Sequence, residues 1–105
     1  MHRADKCSHV IICTNKRGTA KNIPDIEEIC ATSAAIQNIL LAATEKNIAT
    51  FWSTGGMCHT NEFKHFFGYN DEDTVLGILY IGYTEKPLPI AKRNTPIEDK
   101  IKYYK

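Results

Sequence analysis

No excess of charge of either sign marks this chain: 13 Lys and Arg residues stand against 12 Asp and Glu, a net of +1. Binding to nucleic acid needs a basic face, and recruitment to a membrane surface needs a polybasic cluster, so neither partner is expected. Long hydrophobic runs are scarce as well. The longest, residues 75–83, holds two glycines and falls far short of the roughly 20 residues that cross a bilayer. The four cysteines, Cys7, Cys13, Cys30 and Cys58, form no CxxC pair, which removes the common zinc and dithiol signatures, and no metal site is expected. The opening stretch 1–6 is polar and lacks the apolar core of a secretory leader. Reduced, mostly buried thiols in a cytoplasmic protein are therefore expected. No internal repeat or low-complexity segment is visible.

What is present is ordinary globular material, 43% hydrophobic and 24% charged over 105 residues, read as a single domain spanning 1–105. A chain of this length buries about 60–70% of its unfolded surface, so its core is adequate but small. Val10, Ile11, Ile12 and Cys13 read as a strand running into a polar loop. From Asp25 to Lys46 the apolar residues keep helical spacing, and Asp25, Glu27 and Glu28 suit the positive end of the helix dipole. The second half of that helix is apolar or small almost all round, the pattern of a helix covered on every side. One small chain can hardly supply that cover, so a second subunit or further chain is implied. Gln37 and Asn38, inside this stretch, are read as structural amides paired with a neighbouring chain. Asn47 is placed to end the helix in the left-handed conformation.

Residues 48–52 read as a second short strand, followed by a glycine turn at Gly55 and Gly56. Thr60 is placed to cap a short helix with Phe63, Phe66 and Phe67 inward, closed by Gly68. Residues 75–81 are continuously apolar and read as a central strand covered on both faces. Pro87, Pro89 and Pro96 keep the tail extended, and Thr95, Pro96 and Glu98 match a capping box opening a last short helix. The fold class is α+β, a mixed sheet packed on a long buried helix.

Few residues carry obvious chemistry. Cys58 and His59 are adjacent, a poor geometry for a nucleophile and its base, and no third group orients them. Cys7 and His9 make at most two metal ligands. On residues alone, Trp52, Ser53, Thr54 and Gly55 read as a strand end and turn, and Lys92 and Arg93 as solvated tail charges.

The order of these pieces adds a second reading. The stretch 34–43 resembles the long central helix of the FMN-dependent nitroreductase family. Trp52, Ser53, Thr54 and Gly55 resemble its flavin-contacting turn. Residues 75–83, followed by Pro87, Lys92 and Arg93, are similar to its last core strand and phosphate-contacting tail. The likeness covers only the second half of a family member, and the N-terminal segment that would hold the flavin phosphate has no counterpart, as in a truncated relative. The resemblance implies an NAD(P)H oxidoreductase with FMN as cofactor and ping-pong hydride transfer to a nitroaromatic, quinone or similar small-molecule acceptor. It also implies cofactor contacts at Trp52, Ser53, Thr54, Gly55, Lys92 and Arg93, no catalytic protein nucleophile, and a homodimer around the long helix. The competing expectation is a non-catalytic fragment or dimerisation module that keeps the core without binding flavin.

Overall fold

The acidic, β-poor stretch after Pro24 builds the one long helix, and the β-branched runs on either side of it build a sheet. A computed structural model describes residues 3–105; the first two positions of the polar opening stretch lie outside the described residues. After a 3₁₀ turn at Arg3–Lys6 come β1 (His9–Asn15), α1 (Asp25–Glu45) and β2 (Ala49–Ser53). A 3₁₀ turn at Gly56–His59, α2 (Asn61–Phe66), β3 (Thr74–Gly82) and a last 3₁₀ turn at Glu98–Lys100 complete the order.

The α+β class holds, but the sheet is antiparallel throughout rather than mixed. Its order is β1-β3-β2, and β3 runs antiparallel to both neighbours. β1 and β2 share a direction, and β3 inserted between them separates the two strands that could have paired in parallel. The register aligns Ile11 with Leu79 and Cys13 with Gly77, and Trp52 with Leu79 on the other side. Cys13, Ile36 of α1 and Leu79 form the core, with Leu40, Trp52, Leu76 and Ile81 packed around it. Burying an Ile or Leu side chain contributes about 1.5–3 kcal/mol, so this small set carries much of the fold.

α1 starts and stops where its sequence directs. Asp25, Glu27 and Glu28 occupy its first turn, and Asn47 takes a left-handed φ of 56° just beyond it, a conformation Asn tolerates better than other side chains. Its cover differs from expectation. Only Ile36 and Ala43 are buried, while Ile26, Ile39 and Leu41 are exposed and so are Gln37 and Asn38. The chain covers one stripe of the helix and leaves the rest open. By length and composition alone α1 would also reach across a membrane, a property the strand run 75–83 does not have. Two side-chain amides in mid-helix oppose that use, since a bilayer offers them no partners.

Three further details depart from the sequence reading. Phe66 is 82% exposed, because a helix of only six residues seated on Phe63 turns its next aromatic outward. β3 is buried at Val75, Gly77 and Leu79 but only half-covered at Leu76, Ile78 and Tyr80. The capping box does not form: Ile97 stands at the cap of the last 3₁₀ turn, with no side-chain cap. Every residue from Tyr83 onward is exposed. That tail explains a radius of gyration of 17.1 Å, against about 13 Å for a compact chain of this length.

The loop from β1 to α1 is held by a polar tie. Arg17 pairs with Glu28 at 2.7 Å and donates from Nη2 to the Ile23 carbonyl. Its backbone amide donates to Asp73, whose other oxygen accepts from the Asn70 amide. The Gly18 amide donates to Glu28 at 3.2 Å. Asp73 is 6% exposed, so these bonds replace the water that a buried carboxylate loses.

Candidate functional site

The 52–55 turn leaves the sheet at the end of β2 and is fixed from both sides. Trp52 is half-buried, and its indole Nε1 donates to the Leu76 carbonyl at 2.9 Å. The ring lies against Gly77, where an added Cβ would meet both the ring and the Ser53 carbonyl. Gly77 has φ +139°, a region that side chains rarely adopt. A glycine in β3 therefore lets the tryptophan close on the strand, and the sequence alone gave no signal for this fit. On the far side, the buried Cys58 thiol donates to the Thr54 carbonyl at 3.2 Å. Burial pushes the thiols of Cys58 and Cys13 above their ordinary values, so they stay protonated and packed.

Between these anchors Ser53 is half-covered, and Thr54 and Gly55 are exposed. A Cβ at Gly55 or Gly56 would meet nothing within 4 Å. Among the described residues the amides of Thr54 and Gly55 make no hydrogen bond. The turn thus carries two backbone amides without a hydrogen bond in an exposed segment, held on a rigid support. Flat heteroaromatic groups with carbonyl and ring-nitrogen acceptors fit such a surface, and glycine removes the side chains that would keep them away.

Trp52, Ser53, Thr54 and Gly55 are consecutive on one turn at the end of β2, whereas Lys92 and Arg93 belong to the tail beyond β3. Lys92 and Arg93 are exposed and make no hydrogen bond or ion pair among the described residues. Cys7 and His9 form no metal cluster, and no group of three or more potential ligands exists among the described residues. His65 pairs with Asp71 at 2.7 Å, both well exposed. Of the four thiols only Cys13 and Cys58 are buried; Cys7 is half-covered and Cys30 exposed.

Beyond the turn lies a feature that helical spacing misjudged. Met57, Phe63, Phe66 and Phe67, with Glu62, line an open apolar cup of about 420 Å³. Phe63 and Phe67 are 4.8 Å apart, and Phe66 meets Phe67 edge-on at 4.9 Å. Thr60 caps α2 by accepting from the Phe63 amide at 3.2 Å, which fixes the first ring.

This fold, a helix packed on a three-stranded sheet, is similar to that of solved nitroreductase-like structures. A nitroreductase-like family protein from Bacillus cereus matches 90% of this chain with TM-score 0.75 and 31% identity, over 50% of its own length. A nitroreductase family protein from Streptococcus pneumoniae TIGR4 matches 79% of the chain with TM-score 0.62 over 42% of its length; at 16% identity it speaks for the fold alone. The model of the nitroreductase family matches residues 3–83, and the chain belongs to that family. A Bacillus subtilis (strain 168) protein named "Putative NAD(P)H nitroreductase YfhC" is 35% identical over 74 residues, which are 70% of this chain and 38% of that protein. The chain thus spans half or less of the length of these relatives.

Proposed function

We propose that this chain is the flavin-turn half of an NAD(P)H oxidoreductase that uses FMN. The observation that carries the reading is the exposed 52–55 turn, with two amides that make no hydrogen bond among the described residues and a tryptophan tied to the neighbouring strand. Thr54 and Gly55 would hold the ring edge through their amides, and Ser53 would add a hydroxyl. Trp52 acts as a positioning residue, because its own donor is engaged by Leu76. Arg93 and Lys92 are unpaired cations suited to the FMN phosphate, Arg the better through its planar fork of donors. When bound, the flavin supplies hydride transfer from NAD(P)H to a nitroaromatic, quinone or similar acceptor, chemistry that needs no protein nucleophile. A homodimer is part of the same reading: the open face of α1 and the apolar tail are surfaces a second copy would cover.

One observation favours a second reading, a non-catalytic dimerisation module. The chain spans only 38% of the curated relative. The visible spectrum of the purified chain after incubation with FMN and gel filtration decides between them. A flavin band co-eluting with a dimer-sized peak supports the oxidoreductase, whereas a colourless dimer supports the module. Arg93→Ala should weaken FMN much more than riboflavin, which lacks the phosphate; equal weakening would remove Arg93 from the site.

A further inference from the structure

Phe66 and Met57 leave 82% and 71% of their surface in water, although Phe66 meets the Phe67 ring edge-on. Three phenylalanines and a methionine, the latter three residues after Thr54, form a concave apolar wall. Its volume of about 420 Å³ lies in the range of small-molecule sites, roughly 300–1,000 Å³. It is too small for a folded partner but fits one or two aromatic rings. Of the residues that line it, Glu62 alone carries a charge, and it makes no ion pair among the described residues. Lys64 on the same helix turns to the following loop, where its ammonium donates to the Asp71 carbonyl at 3.0 Å.

We propose that this cup seats the electron acceptor as a planar aromatic, and that Glu62 sorts acceptors by charge, admitting neutral and cationic rings and disfavouring anionic ones. Phe66 and Phe67, set edge to face, leave a ring surface free for offset stacking, and Met57 closes the wall with a polarisable thioether. The acceptor role rests on the oxidoreductase reading above; ring binding and charge sorting do not need flavin.

The test uses the full chain labelled with ¹³C at its methionine methyls. Only Met1 and Met57 are present, so one resonance reports on the cup. Titration without FMN uses three probes: 4-nitrobenzyl alcohol, 4-nitrobenzylamine and 4-nitrobenzoate. The Met57 methyl is expected to shift saturably through ring current, with the benzoate binding about threefold to fivefold more weakly at low salt. Glu62→Gln should close that gap, and Phe66→Ala should weaken all three probes severalfold. Both side chains are exposed, so neither change threatens the fold. A methyl unmoved by every probe overturns the proposal, as does equal affinity for all three in the parent chain. A methyl that responds only to protein concentration also overturns it, by making the cup a contact between copies. Probes that bind to a chain unable to take FMN leave the cup standing and remove the flavin reading; FMN binding without probe binding does the reverse.

Discussion

Alanine at Gly77 would bring a methyl group into the closest-fitted part of the molecule. The residue sits in β3 at φ +139°, where holding a side chain costs about 1–3 kcal/mol. Its Cβ would lie 2.6 Å from the Ser53 carbonyl oxygen and against the Trp52 ring. Backbone cannot swing away as the end of a lysine can, so the overlap adds about 1–3 kcal/mol. Moving the ring also strains the indole hydrogen bond to Leu76, worth about 1 kcal/mol. The expected loss of about 3–7 kcal/mol is large beside the about 5–15 kcal/mol that holds a typical domain together. Equilibrium unfolding in urea, followed by the fluorescence of Trp52, the one tryptophan, measures it directly. With a slope of about 1.5 kcal/mol per M, the midpoint should fall by about 2 M or more, and the emission of the native state should move to the red. Gly55→Ala is the control, since its φ is −80° and its Cβ would meet nothing; its stability should stay within about 0.5 kcal/mol of the parent. A Gly77→Ala chain as stable as the parent, with unchanged emission, would refute the fit.

Two other outcomes follow from the site and its supports. Arg17 and the Gly18 amide hold the Glu28 carboxyl below the usual carboxylate range. A group depressed in this way favours the folded state above its unfolded value of about 4.3 and loses that effect as pH falls through the folded value. Between roughly pH 5 and pH 3, parent stability should drop more steeply than that of Glu28→Gln, and parallel curves would show that the tie does not couple to folding. Thiol labelling of the native chain, read by mass spectrometry, should modify exposed Cys30 first and buried Cys13 and Cys58 last. Equal rates for Cys58 and Cys30 would place Cys58 outside the core.

Periodicity and end signals made most elements legible. The acidic first turn and Asn47 bounded α1 to within a residue, and Thr60 was correctly placed as the cap of α2. Sheet direction was not legible, because strand patterning says which residues pair with a face and nothing about chain direction. Phe66 was misjudged because apolar spacing assumes that every aromatic is needed inside, whereas a six-residue helix has room to seat only its first ring. The Arg17 tie joins residues 56 positions apart, a separation no local pattern encodes. Gly77 was invisible for a related reason: its role depends on an indole 25 positions earlier. In the candidate site, the strand end and the turn after it were legible in the residues, but the supports that make the turn rigid required the fold.

The exposed tail separates two properties that most small domains bind together. The family model matches residues 3–83, ending one residue past β3, and the covered part of the chain ends there too. Beyond it Leu88, Ile90, Ile97, Tyr103 and Tyr104 keep much of their hydration in the lone chain. Substitutions there leave the unfolding equilibrium of the packed unit almost unmoved, yet each alters the free energy of any association that dehydrates them. Selection can therefore retune what this protein joins without disturbing whether it folds.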